Sequence, residues 1–472
     1  MNTDGPTQEQ GGNALSSRRV LLSGWGRSAR SSAELFTVRK TGDAAALLRQ
    51  ACGSGQDAER ASVLARGLGR SYGDSAQNAG GNVLDMTAMA GIRALDLDAG
   101  TVTAEAGLSL DALIRAVLPL GYFVPVTPGT RFVTIGGAIA ADIHGKNHHA
   151  DGSLQDHLLA FTLLTVDGQE MCVTGDSQPD VFAATAGGMG LTGVVTEATL
   201  RLLPVETAYM RVDTERTSNL EATMERMVTG DPGYRYSVAW TDSLARGNSL
   251  GRAVLMRANH AIAAELPAKA LGRPLGFKEG IGLPIPPWMP GGLLRHSTMA
   301  IFNEAFYRRA PIRETARIQS MATYFHPLDR LRDWNRIYGK RGLVQYQFVV
   351  PDGEEGALRL AFEMLSAAGV PSFLTVLKRF GPGHGMLSFP AKGWTLTLDI
   401  PAGVSGLDEL LDDLDEVVIS AGGRVYLAKD SRLRPSALAA MYPELERWKA
   451  VRARLDPRGL LRSDLARRLD LV

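Results

Sequence analysis

The spacing of apolar and polar residues in the first part of the chain predicts short strands separated by turns. Apolar runs predict buried strands at 61–66 and 82–86. Alternating apolar and polar residues predict two hairpins, 94–107 and 158–175, because turn residues lie at the centre of each (Asp-Ala-Gly in the first, Asp167-Gly168 in the second). The first part of the chain is therefore expected to be rich in antiparallel strands.

Helix signals are fewer in this region. Ser109 is a suitable N-cap for a helix over 110–120. Residues 181–203 predict a short helix, a glycine cluster and a strand, and Gly136-Gly137 is expected at the start of another helix. Helices and strands mixed in this way favour an α+β fold.

The pattern changes after residue 208 and changes again near residue 424. Longer strands and helices with fewer glycines follow, including 234–240 and 343–351, and glycine and charge return at the end of the chain. The middle region therefore reads as an insertion into a first domain that the C-terminus completes. The predicted divisions are a flexible tail at 1–17, a first domain at 18–208, an inserted domain at 209–423 and a completing segment at 424–472. Within the insertion, the apolar, proline- and glycine-rich stretch at about 272–296 predicts a mobile loop.

Composition supports two domains and excludes several classes of protein. The chain has 472 residues, 45% of them hydrophobic and 21% charged, which is too long for one ordinary core. A net charge of +1 argues against nucleic-acid binding. Two cysteines, Cys52 and Cys172, cannot form a disulfide framework or a cysteine-based zinc site. A polar N-terminus and the lack of a long apolar run indicate a protein kept inside the cell.

Three glycine-rich segments are candidates for binding a phosphate-containing cofactor. They are RGLGRSYGD (66–74), the residues from Pro128 to Gly137, and the cluster at 187–193. Glycine lets a backbone approach a bound group and offer its N–H donors to phosphate. Each segment alone is equally typical of an ordinary tight turn, and the first departs from the Rossmann spacing. Three of them separated by hairpins could surround one long dinucleotide.

The segment DIHGKNHH (142–149) holds three of the eight histidines of the chain. His144 and His148 are four residues apart, but Gly145 interrupts the segment and it has no H-E-x-x-H glutamate. We therefore predict no metal. Two interpretations remain from the residues themselves, a polar surface loop and a loop beside another cofactor.

These segments in this order resemble the FAD-binding domain of the vanillyl-alcohol-oxidase type flavoproteins. DIHGKNHH, YSVAW, QYQFVVP, SFPAKGW and YLAKDSR are similar to the narrower subfamily of decaprenylphosphoryl-ribose 2′-epimerase flavoproteins, from about residue 20 to the end. The resemblance implies a two-domain α+β fold, with an FAD-binding domain split in sequence and an inserted antiparallel-sheet substrate domain.

The same resemblance implies which residues hold FAD. They are Arg66, Gly67, Leu68, Gly69, Arg70, Ser71, Tyr72, Gly73, Pro128, Gly129, Thr130, Gly136, Gly137, Ala141, Asp142, His144, Gly145, Asn147, Gly190, Gly193, Val194 and Lys429. Many relatives bind FAD covalently through a histidine in the first glycine loop. This chain has GRSYGD there, so noncovalent FAD is expected.

The implied reaction is oxidation of the 2′-hydroxyl of decaprenylphosphoryl-β-D-ribose to the 2′-ketone, the first half of epimerisation to the arabinose donor for cell-wall arabinan. The implied catalytic residues are Lys429, Tyr426, His144 and Tyr72, with Lys429 as the cation beside the reduced flavin. His144, Tyr72 and Lys429 all remain open as the group that takes the hydroxyl proton. Without the motif, Lys429 would be read as a surface lysine paired with Asp430.

The residues expected to bind the substrate are His144, Lys146, Trp240, Gln345, Gln347, Lys378, Thr397 and Lys429. His144 and Lys146 are expected to give positive charge and donors to the phosphodiester or hydroxyls. Trp240 could equally be a core residue. Lys378 in an apolar strand needs a partner or a cleft. Many members of the subfamily carry, at position 397, a cysteine to which activated nitroaromatic inhibitors attach.

The resemblance also implies partners. They are a polyprenylphosphoryl sugar, an NADH-dependent short-chain reductase that completes the epimerisation, and a quinone as candidate electron acceptor. The apolar loop would shelter the prenyl chain or touch the membrane, so the expected location is the cytoplasm or the membrane periphery. Two alternatives are an aldonolactone or alditol oxidase that uses O₂, and a non-catalytic flavin-binding module.

Overall fold

The computed structural model describes residues 16–55, 59–277, 282–286, 288–290 and 292–472. Most of the predicted tail, 1–15, and parts of the predicted apolar loop, 278–281, 287 and 291, lie outside the described residues. No helix in the described part of the chain is both long and apolar enough to span a membrane.

Strands and helices are interspersed throughout the described part of the chain. In chain order the strands are β1 Ser17–Ser23, β2 Arg30–Thr37, β3 Val63–Arg66, β4 Asn82–Asp85, β5 Ile92–Asp96, β6 Thr101–Glu105, β7 Tyr122–Phe123, β8 Leu158–Leu164, β9 Glu170–Thr174, β10 Val194–Arg201, β11 Leu203–Pro204, β12 Tyr209–Thr217, β13 Tyr236–Thr241, β14 Ala253–His260, β15 Leu283–Pro284, β16 Arg313–Ser320, β17 Leu331–Arg332, β18 Leu343–Pro351, β19 Thr375–Phe380, β20 Gly393–Pro401 and β21 Arg424–Val425.

The α-helices are α1 Thr41–Gly53, α2 Leu110–Val117, α3 Ile135–Ala140, α4 His148–Asp151, α5 Pro179–Thr185, α6 Leu220–Gly230, α7 Ala268–Leu271, α8 His296–Arg309, α9 Met321–Phe325, α10 Glu355–Ala367, α11 Leu407–Ser420, α12 Pro435–Met441, α13 Leu445–Leu455 and α14 Asp464–Arg468. Ser109 caps α2 as predicted, since its side chain accepts a hydrogen bond from the Ala112 N–H.

The three largest of the five sheets in the described residues organise the fold. A four-stranded sheet has the order β1-β2-β4-β3, and a five-stranded antiparallel sheet has the order β5-β6-β10-β8-β9. The third sheet has eight strands in the order β16-β12-β14-β13-β19-β20-β18-β21. This architecture confirms the predicted α+β class, with a large antiparallel sheet formed mainly by the middle of the chain.

The last part of the chain joins the first. The Val63 N–H donates to the Leu460 carbonyl at 2.8 Å, and the Tyr72 N–H donates to the Ala428 carbonyl at 3.0 Å. Arg468 pairs with Asp74 at 2.8 Å. β21 nevertheless pairs with β18 in the eight-stranded sheet, and β1 begins at Ser17, inside the predicted tail. The exact domain limits stay a prediction.

The eight-stranded sheet has two chemically different faces because side chains alternate along a strand. In β20, Leu396, Leu398 and Ile400 belong to the main hydrophobic core, which also includes residues of α10 and α11. The intervening positions carry Thr395, Thr397 and Asp399 on the opposite face. That polar face forms part of the cavity described next.

Candidate active site

A single cavity of about 850 Å³ lies between the glycine loops and the polar face of the eight-stranded sheet. Most residues predicted to bind the cofactor line it: Arg66, Gly67, Leu68, Gly69, Arg70, Ser71, Tyr72, Pro128, Gly129, Thr130, Gly136, Gly137, Ala141, His144, Gly145, Gly190, Gly193 and Lys429. All residues predicted to bind the substrate also line it: His144, Lys146, Trp240, Gln345, Gln347, Lys378, Thr397 and Lys429. Distant parts of the sequence thus meet at one site.

Four of the predicted cofactor residues do not line the cavity, and each has a structural contact instead. Gly73 lies against the backbone of Asp430, where a Cβ would come within 1.8 Å of the carbonyl oxygen. Val194 is buried in β10. The Asn147 side-chain amide donates to the Pro125 carbonyl at 2.9 Å. Asp142 is completely buried and accepts hydrogen bonds from the Gln155 N–H (3.0 Å) and the Ser153 hydroxyl (2.8 Å).

The glycine loops have the shape that a dinucleotide requires. At Gly67 a Cβ would lie 2.1 Å from the Thr134 hydroxyl, and at Gly136 it would lie 3.0 Å from Ala106, so larger residues would displace neighbouring walls of the cavity. Gly129 and Gly190 have no heavy atom within 4 Å of an added Cβ, which leaves their backbone open to the cavity. Arg70 Nε is buried and has no acceptor among the described residues. These residues fit FAD.

Three strands place the polar side chains of the other wall. Gln347 of β18 lies opposite Thr397 of β20, which lies opposite Val376 of β19. Directly opposite residues of antiparallel strands share a face, so one row across the sheet faces the cavity. Val376 lies opposite Trp240, whose indole N–H donates to the Phe373 carbonyl at 2.9 Å. Trp240 is thus both packed and part of the cavity wall.

His144 lies at the centre of this wall as an uncharged ring. Its Nε2 is 3.0 Å from the Gln347 side-chain nitrogen, and its ring centroid is 4.8 Å from that of Phe380. Burial, together with the positive charge of Lys378, lowers the pKa of His144 well below its usual value. The expectation that His144 carries positive charge is therefore wrong, and its ring acts as a neutral donor and acceptor.

The neighbouring histidines make hydrogen bonds to the backbone. His148 Nδ1 accepts from the Gly381 N–H at 3.2 Å, and His149 Nε2 is 2.9 Å from the Tyr234 carbonyl. In the described part of the chain there is no group of three histidine, cysteine or acidic side chains suited to a metal. The polar loop that the sequence suggested thus lies partly beside the cavity.

Three lysines reach the cavity from three different segments. Burial lowers the pKa of Lys146 to about 7, that of Lys378 to about 7 and that of Lys429 to about 8. Lys146 Nζ donates to the Tyr324 carbonyl at 2.5 Å and lies 4.1 Å from the centroid of the Tyr324 ring. Amines that gain or lose a proton near neutral pH are well suited to bind an anion or transfer a proton.

Lys429 is not paired with Asp430. Asp430 pairs with Arg468 at 2.9 Å, and Lys429 Nζ lies 4.2 Å from the centroid of the Tyr72 ring. The nearby charge of Asp399 opposes the effect of burial on the pKa of Lys429. The surface-pair interpretation of this lysine is therefore wrong.

Asp399 is a buried carboxyl that sequence reasoning did not single out. The Gln345 side-chain amide donates to one of its oxygens, and burial raises its pKa to about 7. Its position two residues after Thr397, with the same spacing as Gln345 and Gln347, was the available signal. Asp399, Gln345 and Lys429 together form a polar group beside the Tyr72 ring.

The two predicted tyrosines differ in their surroundings. Burial and Asp399 raise the pKa of Tyr72 well above its usual value, so the phenol keeps its proton at neutral pH. The Tyr426 hydroxyl donates to the Ala141 carbonyl at 2.8 Å, and its ring stacks on Phe389 at 4.6 Å. These contacts hold the start of the histidine loop, and the catalytic role of Tyr426 stays a prediction.

Further aromatic and aliphatic residues line the cavity, and two of them, Phe302 and Phe306, are exposed at its outer end. They include Trp25, Leu294, Met299, Phe302, Phe306, Tyr324, Leu331, Trp334 and Phe373. Only Leu294 among them lies in the apolar loop that the sequence analysis predicted. The Trp240 and Phe306 rings lie 4.5 Å apart. Single aromatic residues in helices and loops carry no motif, so only their position in the fold identifies them.

Glycine loops that face the polar side of a large sheet, together with matches to known FAD proteins, place the chain among the FAD-dependent oxidoreductases. Residues 33–173 match the model of the FAD binding domain family, and residues 402–469 match that of D-arabinono-1,4-lactone oxidase. Over 454 residues, 96% of this chain and 97% of its relative, the sequence is 42% identical to the decaprenylphosphoryl-β-D-ribose oxidase of Mycolicibacterium smegmatis.

A more distant relative is the L-gulono-1,4-lactone dehydrogenase of Mycobacterium tuberculosis, which is 24% identical over 86% of this chain and 90% of its own length. A protein of unassigned activity from Streptomyces coelicolor is 43% identical over 77% of this chain. The chain belongs to the family of the M. smegmatis oxidase, and FAD is its cofactor.

Proposed function

We propose that this enzyme oxidises the 2′-hydroxyl of a polyprenylphosphoryl ribose of the decaprenylphosphoryl-β-D-ribose kind to the ketone. The observation that carries the proposal is the order of surfaces along one cavity. Tyr72 of the first glycine loop interacts with Gln345 of the polar wall. The row across the sheet runs from Gln347 through Thr397 and Val376 to Trp240, and Trp240 packs on Phe306 of α8. That order corresponds to flavin, sugar phosphate and lipid.

In this proposal, two lysines bind the phosphodiester of the substrate. Burial lowers the pKa of Lys378 most, followed by the charge of Lys429 and then that of Lys146, so Lys146 and Lys378 are close enough to interact. A bound phosphodiester would offset both burial and mutual repulsion, and would keep both amines protonated. The two lysines are therefore assigned to the phosphate, and Gln345 and Gln347 are assigned to the sugar hydroxyls.

Proton handling is assigned to the groups nearest the flavin loop. When bound, FAD accepts the two electrons and the hydrogen that leave the carbon bearing the hydroxyl. Tyr72 keeps its proton at neutral pH and serves as a donor, so it is removed from the candidates for the base. His144 and Lys429 remain candidates to receive the hydroxyl proton, and Lys429 in its protonated form supplies positive charge.

The proposal extends to partners. The ketone product needs a reductase that returns a hydride to the opposite face of the sugar, and an NADH-dependent short-chain reductase has that chemistry. A quinone is the acceptor proposed to reoxidise the flavin. Neither partner has a contact surface assigned to it.

A lactone or alditol oxidase that uses O₂ is the second candidate, favoured by the match at 402–469 and by the lactone dehydrogenase relative. Small soluble sugars give no role to the apolar outer cavity. The non-catalytic flavin-binding module has no observation in its favour.

The test is the visible spectrum of the purified holoenzyme without oxygen, before and after substrate is added. Farnesylphosphoryl ribose should bleach the flavin, whereas L-gulono-1,4-lactone should not. Bleaching by the lactone alone would favour the second candidate, and no bleaching by either would reject both. Reoxidation by air, compared with a soluble quinone, then tests the acceptor.

A further inference from the structure

Large apolar side chains are exposed along one segment of the chain, and two of them, Phe302 and Phe306, also line the cavity. Of the 17 large hydrophobic residues exposed in the described part of the chain, seven lie between residues 283 and 312: Leu283, Trp288, Leu293, Ile301, Phe302, Phe306 and Ile312. Scattered exposed apolar residues need no explanation, but a cluster usually marks an interaction surface.

Helix α8 forms the centre of this cluster and presents two different faces. Asn303 is completely buried and donates to Asp242 at 2.8 Å, while Met299 is also buried. On the outer face Ile301 is 72% exposed, and Ile312, three residues beyond the helix, is 75% exposed. The helix is thus fixed to the sheet by its inner face and leaves an apolar stripe in solvent.

The stripe is continuous with the cavity. Phe302 and Phe306 are 40% and 39% exposed, yet both line the cavity, and Phe306 packs on Trp240. β15 lies beside this region, pairing with β17, whose Leu331 also lines the cavity. An apolar chain could therefore pass from the surface to the cavity without crossing a polar barrier.

The charge around the stripe is positive, although the whole chain carries only +1. Between residues 295 and 313 there are four arginines (295, 308, 309 and 313) and one acidic residue, Glu304. Glu304 is paired with Arg252 at 2.6 Å and with Arg308. Exposed arginines beside apolar side chains match the interface of a membrane with anionic lipids.

We propose that this surface, the outer face of α8 with Ile312 and the neighbouring Leu283 and Leu293, docks on an anionic lipid bilayer. In this position the prenyl chain of the substrate would enter the cavity beside Phe302 and Phe306 directly from the lipid. The inference rests on the proposed function for the identity of the lipid-linked substrate, but the docking itself can be measured without turnover.

The experiment measures flotation of the FAD-loaded enzyme with vesicles of phosphatidylcholine, with or without phosphatidylglycerol. Wild type should bind the anionic vesicles and release them at high salt. Ile301→Glu combined with Ile312→Glu should weaken binding by about tenfold or more, because each change puts a charge into the apolar boundary. Arg309→Gln should weaken binding only to the anionic vesicles.

Ile262→Glu is the matched control. Ile262 is 48% exposed and lies just after the end of β14. Arg252 lies just before the start of the same eight-residue strand and pairs with Glu304 of α8. The control residue and α8 are therefore at opposite ends of β14. The two ends are roughly 25 Å apart. Equal loss of binding in the control and the α8 variant would overturn the proposal, as would equal binding of all variants.

Two further measurements separate the outcomes. All variants should bleach equally with farnesylphosphoryl ribose dispersed in detergent, because Ile301 and Ile312 do not line the cavity. If wild type floats with vesicles but is not bleached, the proposed function fails and docking stands. If sedimentation shows that Ile301→Glu disrupts a dimer and leaves vesicle binding unchanged, the surface is a contact between copies and docking is rejected.

Discussion

Lys429 is held under the Tyr72 ring with Asp399 close enough to affect its charge. Lys429→Ala should leave the protein folded but reduce the rate of flavin reduction by substrate by about 10²–10³, as when one charge-stabilising donor is removed. Stopped-flow measurement at saturating substrate checks the rate. Lys392→Ala is the control, since the Lys392 side chain is 66% exposed, and equal rates in both variants would remove Lys429 from the mechanism.

Lys378 gives a prediction about stability and pH. Burial and two neighbouring lysines lower its pKa from 10.5 to about 7, so between these values the unfolded chain binds more protons than the folded chain. Stability therefore rises with pH through that window. Lys378→Met removes the buried ammonium and should stabilise the ligand-free protein by ~1–3 kcal/mol at and below neutral pH.

The gain should shrink as the pH approaches the unfolded pKa of lysine. Thermal unfolding at pH values across the window measures this difference, with Lys392→Met as the exposed control. A gain that is independent of pH would mean that Lys378 has the same pKa in the folded and the unfolded protein, which would contradict the effect of burial. The same variant should lose activity on the phosphorylated substrate.

Thr397 is buried in the polar row opposite Gln347, and its hydroxyl has no partner among the described residues. A hydroxyl is a far weaker nucleophile than a thiolate at neutral pH. The wild-type enzyme should therefore resist covalent inactivation by nitroaromatic compounds that its reduced flavin activates, and Thr397→Cys should become sensitive. Intact mass after turnover should increase only for the cysteine variant; Thr397→Ser is the control, and a stable wild-type adduct would refute the assignment.

At the scale of elements, the first glycine loop depends on its contact with α3. A Cβ on Gly67 would strike the Thr134 hydroxyl, which caps α3 by accepting from the Gly137 N–H at 3.2 Å. Gly67→Ala should destabilise the protein by about 1–3 kcal/mol through this overlap and lower its FAD content. Gly42→Ala, where a Cβ meets nothing within 4 Å in α1, is the control; similar FAD content in both would contradict the prediction.

Local patterns were sufficient for most elements near the cofactor loops. The turn at Asp167-Gly168 could be predicted because glycine is favoured at the positive φ that such a turn requires, and Gly168 adopts φ +77°. The Ser109 cap and the strand at 343–351 could be predicted equally well. Long-range contacts could not be predicted from local patterns. Neither the pairing of β18 with β21 nor the placing of Asp399 beside Lys429 follows from spacing in the sequence, because both depend on segments brought together by the fold.

The same limit applies to the predicted site residues. Asp142 and Asn147 lie in the motif that identifies the family, but their side chains hold the loop to Gln155 and Pro125. A motif contains both residues that build a site and residues that touch a ligand, and only the fold shows which of them face the cavity. His144 was expected to be charged because the sequence does not show how deeply a side chain is buried.

At the scale of the whole molecule, the cavity assigned to FAD is lined by segments that are far apart in sequence, so binding of FAD and stability of the fold are linked. His144 is the only histidine among the described residues that line the cavity, the described lining contains no cysteine, and the loop at 66–74 has neither. We therefore expect FAD to be released into the supernatant by acid precipitation. Flavin that stays with the pellet would contradict this.

Reversible binding has a thermodynamic consequence that covalent attachment would not have. Free FAD should stabilise the folded protein by mass action, by about 2.7 kcal/mol when its concentration is a hundred times the dissociation constant. The melting temperature of enzyme depleted of FAD should therefore rise continuously with added FAD. Riboflavin, which lacks the pyrophosphate that the glycine loops are proposed to bind, should give a much smaller rise. An equal rise with riboflavin would show that the loops at 66–74 and 187–193 do not recognise the pyrophosphate.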